Sequence, residues 1–503
     1  MQVLDKRIES YERRRCMMKQ FDTLITNGQI VVPGRTLEAS VSEGFSIGVK
    51  GGRIAAITRH PGKDDAHEII DATGLTVFPG AVDSHFHLGI YRPMSIDTLS
   101  ETQSCLVGGV TSVLSYFRSG QHYMGKTGSY KELFPEALKQ LQGNSYVDYG
   151  LHIAPMEDGQ VGEMEWLAKE QGVTTFKYFM FYKGLNLAAN SASTEALTGS
   201  GSYDLGHLFN IMEEAARLNR TFPGDSAPVC VSVHCEDDEL IKAFIKKVNA
   251  AGIDGLHAYC DARPPLSERI AILKAGTIAA ETGALLNVLH LGGKEALETT
   301  YDLLKLYPQI KLRREVTLHG LGLTYDMLAG KGMGGKVNPP IRTKEDNEAL
   351  WQGIVKGDID WVGSDHACTP ISMKPDSLWQ ASCGFGGTSL MYPYMISAGH
   401  FDRHLPLHRI AELVSANPAK AHGLYPRKGE IAVGMDADFA LVDLDMEKSV
   451  TADMLHSAQE YTPFEGMALR GWPIMTMLRG RTVFKDGQTV GAPGGVYLKR
   501  PCF

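Results

Sequence analysis

From about residue 80 to 425 the chain repeats one pattern, a short apolar run followed by a longer amphipathic stretch. The runs include TSVLSYF (111–117), VDYGLHIAP (147–155), VTTFKYFMF (173–181), VCVSVHCE (229–236), ALLNVLHL (284–291), IKLRREVTL (310–318) and IDWVGSD (359–365). Helix-like segments such as LGHLFNIMEEAARLN (205–219) and SERIAILKAGTIAAET (267–282) lie between them. Apolar strands alternating with amphipathic helices predict βα units and a parallel sheet, because parallel neighbours need a crossover of helical length. The fold class expected is α/β, a TIM-type (β/α)8 barrel over residues 80–425.

The texture differs at both ends. FDTLITNGQIVV (21–32) reads as a hairpin around Asn27-Gly28, since that pair supplies the positive φ values a two-residue turn needs. FSIGV (45–49) and RIAAI (53–57) flank Gly51-Gly52 as a second strand pair. Short strands return in GEIAVGMDADFALVDLD (429–445) and MTMLRGRTVFKDGQTV (475–490), where Asp486-Gly487 is another hairpin turn. Residues 21–79 and 426–490 are therefore expected to form one discontinuous β-sandwich domain. Residues 1–20 are an N-terminal extension and 491–503 a C-terminal tail. The small, polar stretch NLAANSASTEALTGSGS (186–202) reads as a long loop of the kind that serves as a lid.

Composition removes several function classes. The 503 residues carry 50 Lys+Arg against 58 Asp+Glu, a net charge of −8, which argues against nucleic-acid or anionic-membrane partners. No run approaches the roughly 18 apolar residues of a membrane span. The first 20 residues are charged throughout and lack the apolar core of a secretory signal. Eight cysteines are scattered with no C-x-x-C pair, which fits reduced thiols in a cytoplasmic protein.

The chemistry-bearing residues sit where the strands end. His85 and His87 (VDSHFHLG) are two apart, and the period of a strand puts both on one face. His234 closes VCVSVHCE, His290 closes ALLNVLHL, Asp365 closes IDWVGSDH, and Lys177 lies inside VTTFKYFMF. A lone histidine on an apolar strand is most often a hydrogen-bonded core residue, and a lone lysine usually extends its amine to the surface. The ordered set is different, because the C-terminal ends of barrel strands converge on one mouth. Four histidines, an aspartate and a lysine gathered there suit zinc.

As an ordered set these motifs resemble the amidohydrolase superfamily, in its cyclic amidohydrolase branch of dihydropyrimidinases, hydantoinases and allantoinases. The resemblance spans about residues 22–490. It includes LTVFPGAVDSHFHL, FKYFMFYK, VHCEDDELI, LHLGGKEALE, REVTLHGL, NPPIR, GSDHACTP, NPAKAHGL and GMDADFALVD. It implies two zinc ions per subunit, one held by His85, His87 and Asp365 and the other by His234 and His290. They would be bridged by an N6-carboxylated Lys177 and a hydroxide, with manganese as the alternative metal. Burial favours the neutral amine that reacts with CO₂, and a carbamate can span metals about 3.5–4 Å apart. By the same resemblance Asp365 shuttles the proton, Tyr182 stabilises the oxyanion, and Asn338 and Gly387 contact the substrate. His319 would support the ligands by hydrogen bonding rather than bind metal.

Some positions narrow the substrate. Dihydroorotases place an arginine soon after the H-x-H pair, whereas here Leu88, Gly89, Ile90 and Tyr91 follow and Arg92 arrives too late. The expected activity is hydrolytic opening of a cyclic amide or imide, with Tyr91, Tyr116, Phe117, Phe179 and Phe181 as candidate wall residues. The alternatives are an acyclic amide on the same site, or a non-catalytic scaffold relative. Scaffold relatives have lost metal ligands, and this chain keeps all six positions. The resemblance also implies a homotetramer or homodimer.

Overall fold

The computed structural model describes residues 19–33, 41–42, 44–59, 65–182, 203–221 and 228–501, without the side chains of 41, 42 and 182. The expected loop 186–202 lies outside the described residues. Seven parallel strands follow one another around a single sheet: β1 (Ala81–His87), β2 (Val110–Arg118), β3 (Asp148–Ala154), β4 (Thr175–Phe179), β5 (Cys230–His234), β6 (Leu285–Val288) and β7 (Lys311–Thr317). The eighth position, β8, is split into Trp361–Gly363, which pairs with β7, and His366–Ala367, which pairs with β1 and closes the ring. The break falls at Ser364-Asp365, so closure of the barrel and exposure of Asp365 to the mouth share one cause.

The strands are apolar because both faces are covered, by side chains of the barrel interior and by the outer helices. Every residue of β1 to β6 is buried. The crossovers carry their own end signals. Ser129 accepts a hydrogen bond from Lys131 N at the start of helix Tyr130–Leu141. Thr343 and Asp346 form a capping box ahead of helix Lys344–Lys356, which ends at Gly357 with φ 84°.

A smaller β-sandwich is built from both chain ends. Its four-stranded sheet runs Arg53–Thr58, Ser46–Lys50, Phe21–Thr26, Ala66–Asp71. Its seven-stranded sheet combines Thr76–Pro79, Gln29–Val31 and Val41–Ser42 with the C-terminal strands Phe439–Ser449, Ala468–Leu478, Arg481–Lys485 and Gln488–Thr489. Ile25, Ile47 and Val49 of the first sheet pack on Val77, Phe439 and Met477 of the second.

This layout corrects the hairpin expected at 21–32. Phe21–Thr26 and Gln29–Val31 enter different sheets, Phe21–Thr26 between Ser46–Lys50 and Ala66–Asp71, Gln29–Val31 beside Thr76–Pro79. Asn27 does take φ 63°, so the turn chemistry is present, but it passes the chain from one sheet to the other. Asp486-Gly487, with φ 48° and 80°, does close a hairpin between Arg481–Lys485 and Gln488–Thr489.

A buried ionic cluster joins the barrel floor to the sandwich. Lys428 Nζ lies 2.6 Å from Asp148 at the start of β3, 2.6 Å from Asp438 and 2.9 Å from Asp436. Residues 495–500 also dock along β3, with Tyr149 N donating to Val496 O at 3.0 Å and Leu498 N to Tyr149 O at 2.8 Å. Among the described residues no helix is long and apolar enough to cross a membrane.

Candidate metal centre

Strand pleating decides which side chains reach the mouth. On β1, His85 and His87 face inward while Phe86 faces out and stacks on His366 at 4.6 Å. On β4, Lys177 and Phe179 share the inner face, whereas Tyr178 points outward, stacks on Tyr203 and donates to Asp204 O at 2.8 Å. The lysine is thus fully buried, its amine 4.5 Å from the Tyr116 ring centroid and 4.8 Å from that of Phe179. Burial lowers its pKa to about 8, against the pull of Asp365 and Glu315.

The first group of donors converges tightly. His85 Nε2 and His87 Nε2 each lie 3.0 Å from Asp365 Oδ1. One ligand atom from each of these three residues falls within 4.8 Å of the other two. The second group is the pair His234 and His290, with ring centroids 4.2 Å apart, and His290 lies 5.3 Å from His85. Asp365 and His290 hold positive φ values, 50° and 34°. Non-glycine residues seldom adopt such backbone, and where they do the surrounding structure must enforce it.

Three of the four imidazoles are aimed by a partner behind them. Glu315 Oε1 on β7 sits 2.6 Å from His85 Nδ1, Tyr123 OH sits 3.1 Å from His87 Nδ1, and Glu236 Oε2 sits 2.6 Å from His234 Nε2. Glu236 is itself ion-paired to Arg263, with Nε 2.9 Å from Oε1. Burial opposes the charge of His85, yet Glu315 and Asp365 outweigh it and raise the group to about 9. Burial takes His87 and His234 down to about 4 and His290 well below its usual range. Asp365 would be raised by burial, but His85 and His87 hold it well below the ordinary carboxylate range. The donor set fits divalent cations of intermediate hardness, and His290 Nδ1 is buried with no hydrogen-bond partner among the described residues.

His85, His87, Lys177, His234, His290, Asp365 and Asn338 all line one pocket, together with Tyr91, Phe179 and Phe181. Asn338 Oδ1 accepts from Tyr259 OH, which also lies 3.2 Å from Cys383 Sγ. The glycine at the pocket wall is Gly384, φ 102°. Gly387 lies behind it and donates its backbone N–H to His366 Nδ1 at 3.1 Å. Tyr182 ends the short turn Met180–Tyr182, and its side chain lies outside the described ones. His319 sits 3.0 Å from Thr317 Oγ1, and burial lowers it to about 4. Tyr116 packs beneath His85 at 4.8 Å, and Phe117 points outward against Tyr123 and Tyr130.

The amidohydrolase family pattern matches residues 226–483. An L-hydantoinase of Paenarthrobacter aurescens is 30% identical over 495 residues, covering 95% of this chain and 98% of its own length. The chain belongs to the amidohydrolase family. An allantoinase of Rubrobacter xylanophilus is 31% identical over 488 residues, covering 96% of this chain and 98% of its own. The crystal structure of dihydropyrimidinase from Brevibacillus agri superposes with a TM-score of 0.82 at 25% identity, covering 95% of this chain and 98% of that one.

Sequence reasoning did not single out Glu315, Glu236, Tyr123, Arg118 or Arg263. For Glu315 and Arg118 a signal was present, since each is a charge within or at the end of an apolar run, on the inward parity of its strand. Glu236 follows His234 by two residues and shared the same hint. Tyr123 and Arg263 lie beyond strand ends, where no periodicity marks them.

Proposed function

We propose that this chain is a metal-dependent hydrolase that opens a cyclic amide or imide ring of the hydantoin or dihydropyrimidine kind to an N-carbamoyl or related acid. The observation that carries this reading is the convergence of His85 and His87 on Asp365 beside a fully buried Lys177 and the pair His234 and His290. His85, His87 and Asp365 would hold one divalent metal and His234 and His290 the other. Lys177, whose amine burial makes less basic, would add CO₂ with release of a proton and supply carbamate oxygen donors to the same site. Bound there, the metals supply Lewis acidity and bring the pKa of water toward about 7.

The chain's own residues do the rest. Glu315, Tyr123 and Glu236 orient the imidazoles, so little reorganisation is needed during reaction. Asp365 takes the proton of the attacking water on its carboxylate and delivers it to the leaving ring nitrogen. Tyr182 donates to the developing oxyanion. Phe179 and Phe181 exclude water from the ring, and Asn338 and Gly387 are the proposed substrate contacts, with Asn338 in the pocket wall.

Metal analysis combined with a panel of hydantoins, dihydropyrimidines, allantoin, lactams, cyclic imides and acyclic amides tests this. Two metals per chain and opening of at least one ring are expected. A native protein that binds no divalent metal, or one that cleaves acyclic amides alone, overturns it.

A further inference from the structure

Tyr259 stands in the short helix Gly255–Ala262, between β5 and β6, and is 5% exposed. It is no part of the metal-ligand group, yet its hydroxyl reaches the pocket wall twice. It donates to Asn338 Oδ1 and lies 3.2 Å from Cys383 Sγ, and both of those residues line the pocket of His85, His87 and Lys177. A phenol has one proton to give. Given to Asn338 Oδ1, it leaves the phenol oxygen to accept from the Cys383 thiol. Cys383, Tyr259 and Asn338 then form one directed chain of hydrogen bonds.

The backbone beneath this chain is fixed independently of it. Gly384 N donates to Lys336 O at 2.9 Å, and Lys374 Nζ donates to the same oxygen at 3.0 Å. Lys336 Nζ donates to Leu378 O at 2.5 Å and Ala381 O at 2.6 Å. Lys336 thus ties the loop of Asn338 to the loop of Cys383, and what Tyr259 adds is the orientation of one side chain. Its ring is held by two cations, with Lys336 Nζ 4.8 Å and the Arg263 guanidinium carbon 5.7 Å from the centroid. Arg263 pairs with Glu236, which lies 2.6 Å from His234 Nε2, so the ring is anchored to the metal-ligand group. A carboxamide offers an acceptor at one end and a donor at the other. With Oδ1 turned to Tyr259, the NH₂ is the end of Asn338 left for a ligand.

We propose that Tyr259 is a positioning residue that fixes the carboxamide of Asn338 with its NH₂ toward the substrate, so that the site selects rings with a second carbonyl across the ring N–H from the one attacked, imides and ureides over lactams. This rests on the ring-opening function proposed above. The second carbonyl takes no part in the reaction, so its bond to Asn338 is equally strong before and during it. Binding of that kind lowers KM and leaves kcat alone. Without the phenol O–H the carboxamide turns freely, and ordering it when the ring binds costs entropy.

The test uses glutarimide as substrate and δ-valerolactam, its analogue with one carbonyl, as competitive inhibitor, on the metal-loaded full chain. Tyr259→Phe should raise KM for glutarimide about fivefold with kcat unchanged, and leave the inhibition constant of the lactam unchanged. Asn338→Ala should raise KM about tenfold and the double variant no further, against about fiftyfold if the two residues acted independently. Asn338→Asp keeps an acceptor for Tyr259 but lacks the NH₂, and should lose as much as Asn338→Ala. Native KM in Tyr259→Phe or in Asn338→Asp, a loss that falls on kcat, an equal loss for imide and lactam, or independent losses in the double variant refutes the role of Tyr259 but not ring opening. A native protein that opens no ring refutes ring opening, and calorimetric binding of glutarimide to the same variants then decides the role of Tyr259.

Discussion

Replacing Glu315 by glutamine keeps the side chain's shape and removes one acceptor. Glu315 is fully buried and serves three donors. Oε1 lies 2.6 Å from His85 Nδ1 and accepts from His290 N at 3.2 Å, while Oε2 accepts from Trp361 Nε1 at 2.8 Å. An amide has one acceptor oxygen. If it faces His85 and His290, its NH₂ meets the Trp361 N–H, and two buried donors oppose each other. If it faces Trp361, its NH₂ meets His85 Nδ1 and forces the ring proton onto Nε2, the atom 3.0 Å from Asp365 Oδ1. Either arrangement strands a buried donor, at about 1–3 kcal/mol, and the second also blocks the nitrogen aimed at the metal. Loss of such an orienting partner lowers metal affinity about 10–100-fold, which is about 1.4–2.7 kcal/mol. Competition against a chelator at fixed pH measures this directly, with circular dichroism checking that the fold is kept. Trp361→Phe removes the opposing donor, so Glu315→Gln with Trp361→Phe should bind metal more tightly than Glu315→Gln alone. Native affinity in Glu315→Gln, or no recovery in the double variant, would refute the reasoning.

Three further outcomes are expected. Lys177→Ala should drop metal content below two per chain and cut ring opening by at least about a thousandfold, read by elemental analysis and turnover. Lys428→Met leaves Asp148, Asp436 and Asp438 without the cation they share and should cost about 3–5 kcal/mol in denaturant unfolding, whereas a loss under about 1 kcal/mol would show the cluster to be dispensable. Burial would raise Glu101, but His366, Ser457 and the backbone of Ala458 hold it down to about 2. Its folded value lies below the ordinary one, so its stabilisation of about 3 kcal/mol is present above about pH 4.5 and fades as pH falls toward 2. Glu101→Gln should therefore flatten the acid limb of the stability curve, and an unchanged limb would contradict it.

Much of the architecture is legible without coordinates. Apolar runs bounded by helix signals mark β2 to β8, and His85 and His87 declare a shared face by their spacing alone. Asp365 and His290 were visible as strand-end residues, but their left-handed backbone was not, because nothing in GSDHAC or VLHLGG requires it. Gly387 and Gly384 are indistinguishable as glycines of CGFGGTS, and only the packing of that loop puts Gly384 at the wall and Gly387 on His366.

The sequence by itself determined local quantities: strand parity, turn conformation at Asn27 and Asp486, helix ends, and the order of the ligand residues along the chain. These depend on backbone sterics and on residues a few positions apart. The tertiary structure decided everything that depends on which strand lies beside which. Asn27-Gly28 has the chemistry of a hairpin, yet Phe21–Thr26 gains more by lying between Ser46–Lys50 and Ala66–Asp71, so the turn hands the chain to another sheet. Glu315 becomes the partner of His85 because the ring closes and brings strands from opposite ends of the barrel's sequence across its interior. Arg118 and Arg92 are both arginines near the mouth, but inner pleat parity sends the first into the pocket and a buried pair of carboxylates draws the second away. Contacts between residues hundreds of positions apart carry no periodic trace in the chain, and the site is made of those contacts.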